Sequence, residues 1–92
     1  IDAHRGLDIG LIDKVFPDKS FRNDAFEYAR AIANGPTMAL GLMKKNLNSG
    51  VNQELSASLA MEAEHLIKCA GSDESIEAIK AFMGKRKPLF HQ

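Results

Sequence analysis

Tryptophan is absent and cysteine occurs once, at Cys69, so no disulfide framework can form within this chain of 92 residues. A single thiol fits a reducing compartment. Neither sign of charge is in excess. With 12 Lys+Arg against 12 Asp+Glu the formal net charge is zero, leaving no global field to draw the chain onto nucleic acid or an anionic membrane. No apolar run approaches the roughly 18 residues that a membrane-spanning helix requires. Internal repeats and low-complexity segments are also missing. What is present, 45% apolar and 26% charged residues, is the composition of a globular protein of one small domain or a piece of a larger one.

Ile1 is not an initiator, and nothing near it reads as a charged stretch followed by an apolar signal core. The pattern begins in mid-course at Asp2-Ala3-His4-Arg5, so the chain is expected to be a segment of a longer parent.

Periodicity predicts helices. Asp2 can cap a short helix over residues 2–9, which Gly10 ends. Residues 11–16 suit a short extended stretch, broken by Pro17 and Asp18. From about Ser20, Phe21, Ala25, Tyr28, Ala29 and Ile32 fall on one stripe. Asn34-Gly35 is expected to stop that helix with a residue able to take positive φ, and Pro36 to open the next. Residues 36–48 carry Ala39, Leu40, Met43 and Leu47 on one side, with Met38 and Leu42 widening it, before Asn48-Ser49-Gly50 interrupts. The clearest helix runs from Asn52 to about Ala70, with Leu55, Leu59, Ala63, Leu66, Ile67 and Ala70 in one stripe. Ala57 and Met61 lie nearly opposite, which is odd for a solvated face. Asp73 and Glu74 favour a helix start through the dipole. Ile76, Ile79 and Met83 then form the last stripe, with Phe82 at its flank, and Gly84 closes it. These partly two-sided apolar faces exceed what a chain of this size can bury, so some of them are expected to meet other protein.

Few residues offer chemistry. Glu62 and His65 have the Glu-x-x-His spacing of di-iron bundles, which need two such motifs and two further Glu residues. Only one copy exists, and no metal site is predicted. Cys69 reads as a small buried thiol near a helix end. The serines occupy no nucleophile-elbow context, and Gly35-Pro36 and Gly41 form no phosphate-cradling loop. Lys85, Arg86 and Lys87 are too few for a nucleic-acid patch. They do lie within five residues of Phe82 and Phe90, and an aromatic face beside a cation can hold a nucleotide by stacking and phosphate pairing.

Three phrases, in order, carry a resemblance. Ala3-His4-Arg5-Gly6-Leu7-Asp8-Ile9-Gly10-Leu11-Ile12-Asp13-Lys14-Val15-Phe16-Pro17 is similar to the A-x-x-A-x-x-x-G-L-V-D-x-V-V-P stretch of the enoyl-CoA hydratase/isomerase (crotonase) family. Ala31-Ile32-Ala33-Asn34-Gly35-Pro36-Thr37-Met38-Ala39-Leu40 resembles that family's I-A-x-G-P-x-x-A-L junction, with Lys44 or Lys45 in the place of the lysine that follows. The run from Ser72 to Phe90 resembles T-x-D-x-x-E-G-x-x-A-F-x-E-K-R-x-P-x-F. Ala78 stands where Gly is common, Gly84 where Glu is, and Gly6 where Ala is. Gly84 is expected to loosen the helix end before Lys85.

The resemblance implies an all-α chain, the C-terminal helical region of a crotonase-like fold. About four helices would follow a short N-terminal helix and strand remnant. Residues 1–18 would end the spiral core, and residues 19–92 would be a helical C-terminal oligomerisation domain. It implies no tightly bound cofactor, a coenzyme A thioester as the parent's substrate, and acyl-CoA, the chain's own N-terminal spiral domain and a homo-oligomer (trimer or hexamer) as partners. Nucleic acid and membrane are not expected partners. The family's oxyanion-hole N–H groups and acid/base carboxylates would lie upstream of residue 1, so no catalytic residue is assigned here; Asp8, Asp13 and Glu27 do not take those roles. Phe82 and Lys85 match the positions through which the family's last helix approaches coenzyme A, and they are the implied binding residues. A cytoplasmic setting is expected, or the mitochondrial matrix in a eukaryote. The rival expectation is a stand-alone helical interaction module that kept the fold and lost the chemistry.

Overall fold

The structure is a computed structural model, and it describes residues 1–91. Among the described residues five helices follow one another: α1 (Ala3–Asp8), α2 (Phe21–Ala33), α3 (Thr37–Gly50), α4 (Leu55–Ala70) and α5 (Asp73–Met83). No strand is present among the described residues. The extended stretch expected over 11–16 is therefore not a strand. A strand needs a ladder partner, and residues 13–16 exchange no backbone hydrogen bond with another segment. None of the described helices is long and apolar enough to cross a membrane.

The chain divides into two compact units, Ile1–Ala31 and Ile32–Gln92. In the first, the Asp2 carboxylate accepts the Arg5 N–H at 2.8 Å and caps α1, as the residue type predicts. The helix ends in a Schellman turn: Gly10 takes φ 72°, its N–H reaches the Leu7 carbonyl at 3.1 Å, and the Leu11 N–H reaches the Gly6 carbonyl at 2.8 Å. Beyond it, the Phe16 ring meets Phe21 edge-on at 6.5 Å and Tyr28 at 6.0 Å, with the Lys14 ammonium 6.0 Å from the Tyr28 ring.

In the second unit α3 packs on α4, and α4 on α5. Helix boundaries shift slightly from the sequence expectation. α3 continues through Asn48-Ser49-Gly50, since one final turn of weak helix formers is tolerated where the preceding turns already fix the axis. α4 begins at Leu55, with Glu54 at the capping position. Gly35 does not take a positive φ; its N–H closes α2 by a four-residue turn to the Ile32 carbonyl at 3.0 Å.

The larger surprise is which faces pack. On α3 the half-buried residues are Ala39, Leu42, Asn46 and Ser49; on α4 they are Ser58, Met61, His65 and Cys69. That α4 face lies roughly 95° around the helix from the Leu55–Leu59–Leu66 stripe, at about 100° per residue. On α5, Glu74, Ser75, Glu77 and Ala78 are half-buried and Ala81 is buried. The apolar stripes read from the sequence are left outside: Leu47, Leu55, Leu59, Leu66, Ile67, Ile79 and Met83 are all exposed. Mostly small and polar residues, with Leu42 and Met61 among them, hold the three helices together, and His65 Nδ1 is hydrogen-bonded to Asn46 Oδ1 across α3 and α4. The bulky stripes point elsewhere.

Candidate functional site

The residues implied by the sequence lie at the C-terminal end of α5, and the helix is built firmly at both ends. Ser72 caps its start by accepting the Ser75 N–H at 3.1 Å, while its hydroxyl donates to the Cys69 carbonyl at 2.7 Å. Glu74, in the first turn, reaches beyond its own helix. Its carboxylate accepts the Met38 N–H at 3.0 Å, the Ala39 N–H at 3.4 Å and the Thr37 hydroxyl at 3.3 Å. It thus caps the N-terminus of α3, where Pro36 has no side-chain oxygen to offer. Those backbone bonds, above all from Met38, hold the Glu74 carboxyl below the usual carboxylate range.

At the far end, the Lys85 N–H donates to the Phe82 carbonyl at 3.1 Å and the Arg86 N–H to the Ala81 carbonyl at 3.0 Å. This is a second Schellman turn, and it brings Phe82 and Lys85 together at one helix end. Lys85 is its left-handed residue, at φ 50°. Gly84, at φ −82°, does not loosen the helix end: its N–H bonds the Lys80 carbonyl at 2.9 Å, and the chain reverses at the next residue. Phe82 is 81% exposed. The Lys85 ammonium makes no ion pair among the described residues.

Arg86 is committed inward. Its guanidinium donates to both Glu77 oxygens, at 2.6 and 3.0 Å, and the second acceptor role of Glu77 is filled by the Leu89 N–H at 2.8 Å. The tail consequently folds back along α5. Phe90 lines an open groove of about 350 Å³ with Pro36, Ala39, Leu66 and Ala78, and His91 Nε2 lies 2.9 Å from the Gly35 carbonyl oxygen. Phe90 therefore serves packing and does not join Phe82 at the helix end. Neither Glu77 nor the inter-helix role of Glu74 was visible beforehand, because a partner nine or thirty-six positions away leaves no periodic mark.

The Arg86 bonds and the Leu89 N–H hold the Glu77 carboxyl down at about 2, from an ordinary 4.5. The folded state thus binds this proton more weakly than the unfolded chain. The clasp contributes its full stability above about pH 4.5 and loses it as the pH falls toward 2. Thermal melts between pH 6 and 2 should show this fall in the wild type, and a smaller one in Glu77→Gln. Equal slopes would show that the clasp does not stabilise the fold.

Of the other residues singled out, Glu62 and His65 line the same shallow groove between α3 and α4, with His65 held by Asn46. Among the described residues no three His, Cys, Asp or Glu side chains gather as a metal site would need. Cys69 is half-buried on the packed face of α4.

Residues 1–92 match the profile of the enoyl-CoA hydratase/isomerase family. The chain belongs to that family. It is 33% identical over 87 residues to the short-chain-enoyl-CoA hydratase of Clostridium acetobutylicum, covering 95% of this chain and 33% of that protein. It is 31% identical over 90 residues to the 1,2-epoxyphenylacetyl-CoA isomerase of Escherichia coli, covering 98% of this chain and 34% of that one. The crystal structure of an enoyl-CoA hydratase from Polaromonas sp. JS666 superposes with a TM-score of 0.89 at 31% identity, over 99% of this chain and 35% of that one. This member of the enoyl-CoA hydratase/isomerase family is all-α, a helical region of the crotonase-like fold. It spans about a third of the length of the relatives it matches.

Proposed function

We propose that this chain is the C-terminal helical region of a crotonase-type enzyme that hydrates a 2-enoyl-CoA thioester or isomerises its double bond. In that class a thioester enolate is stabilised by hydrogen-bond donors aimed at its oxygen while a carboxylate moves protons. Neither part is assigned to these residues, so the segment contributes no catalysis by itself. Residues 1–18 end the spiral core, and residues 19–92 supply oligomer contacts through the uncovered stripes of α3, α4 and α5. Phe82 and Lys85 form a rim contact to coenzyme A, the aromatic ring against the adenine or pantetheine and the ammonium against a phosphate.

The observation that carries this reading is the end of α5, where an exposed aromatic residue and a cation without an ion pair among the described residues are tied together by one backbone hydrogen bond. One charge-assisted hydrogen bond is worth about 1.5–3 kcal/mol, hence about tenfold or more in affinity. In the assembled parent enzyme, Lys85→Ala should raise KM for a short 2-enoyl-CoA by about tenfold with kcat unchanged, the signature of lost uniform binding. The rise should shrink for the 3′-dephospho substrate. An unchanged KM, or an equal loss in kcat, would remove Lys85 from the coenzyme A site.

A further inference from the structure

The two Schellman turns of this chain invite comparison. In the first, the left-handed position is filled by Gly10, the residue that adopts it without steric cost. In the second it is filled by Lys85 at φ 50°, although Gly84 is its immediate neighbour. A lysine there brings its Cβ against the backbone, so the conformation persists only where surrounding bonds impose it. The chain places the cation at the strained position and leaves the glycine at an unstrained one.

The imposing bonds can be named. Arg86, next to Lys85, is fixed through its own N–H to the Ala81 carbonyl at 3.0 Å. It is fixed again through its guanidinium, which holds both oxygens of Glu77 and donates to the Lys87 carbonyl at 3.1 Å. Glu77 also takes the Leu89 N–H at 2.8 Å, so the bend carrying Lys85 is anchored on its C-terminal side at two residues. The Glu77 side chain is only 20% exposed, on the half-buried face of α5. Its position is therefore set by the body of the helix. The pairing has an electrostatic side as well: Arg86 neutralises the Glu77 carboxylate.

We propose that Glu77 and Arg86 are positioning residues for coenzyme A binding: their two-point clasp holds Lys85 in its left-handed turn and so fixes its backbone at the helix end that carries Phe82. This rests on the reading of Phe82 and Lys85 given above. Of the basic triplet at 85–87, Arg86 does not touch the ligand and acts through Lys85.

A double-mutant cycle on the assembled parent enzyme, with coenzyme A itself as the titrated ligand, tests the idea. Glu77→Gln should weaken coenzyme A binding by about three- to tenfold, less than or equal to the loss in Lys85→Ala, with kcat unchanged. In the Lys85→Ala background the same Glu77→Gln change should have no further effect on binding. Arg86→Lys keeps the charge but not the two-point geometry, and should retain part of the affinity, losing about two- to threefold. It also serves where Glu77→Gln fails to fold. A clasp that only stabilises the fold would lower the melting temperature in both backgrounds and leave the dissociation constant alone, and that result overturns the proposal. So does a binding loss in Glu77→Gln or Arg86→Lys that persists undiminished without Lys85. If Lys85→Ala itself binds coenzyme A as the wild type does, the failure lies in the underlying reading, and the positioning role falls with it.

Discussion

Leu59→Glu or Ile67→Glu on α4 is expected to take the assembled protein apart while leaving the helix itself in place. Both side chains lie on the uncovered stripe, Ile67 at 74% exposure and Leu59 at 55%, away from the Ser58, Met61, His65 and Cys69 face that packs against α3. A carboxylate there is well solvated in the free chain. Covered by another subunit, it becomes an unpaired charge whose desolvation costs several kcal/mol, and each 1.4 kcal/mol is about tenfold in association. A weakening of at least about a hundredfold should follow. Sedimentation of the parent enzyme at micromolar concentration would show it as a shift to monomer, with the far-ultraviolet dichroism unchanged. An assembly of unaltered mass would mean that the stripe is covered from within the same chain, or not at all.

Ala81→Leu should have the opposite character, damaging the fold and not the assembly. Ala81 is 1% exposed, the hydrophobic side chain that is fully buried among the described residues, and it shares the packed face of α5 with Ser75 and Ala78. Three added carbons have no room where the helices approach through small residues. Overpacking of this kind costs about 1–3 kcal/mol. It also displaces the carbonyl that receives the Arg86 N–H, so the helix end should loosen with it. The control is Ile79→Ala on the exposed side of the same helix, expected within about 0.5 kcal/mol of wild type when no partner is present. Denaturant unfolding compares the two directly; equal losses would show that the exposed stripe contributes to the fold as much as the buried face does.

The candidate site was legible only in part. Phe82 and Lys85 emerged from the match of the last phrase to a family pattern, and their common helix end follows from a spacing of three residues. Glu77 went unnoticed because nothing in its neighbourhood requires a partner: on a helix it reads as one more solvated acid. Its role exists only once the chain reverses after Gly84 and returns Arg86 and Leu89 to it. Glu74 is similar. It satisfies the dipole rule for its own helix, yet its carboxylate is used by the start of another.

By itself the sequence determined where helices begin and end to within a few residues, and to which family the chain belongs. Caps such as Asp2 and Ser72 act within three residues of their own position, so local order suffices to read them. It also determined that the stripes on α3, α4 and α5 are apolar. Only the tertiary structure decided that these stripes stay outside while mostly small and polar residues bring the helices together, and that Lys85 and not Gly84 takes the left-handed turn. The physical reason is the same in both cases. Periodicity reports which side of a helix avoids water, whereas the identity of the surface that covers it, and the bonds that impose a strained residue, come from partners far away along the chain.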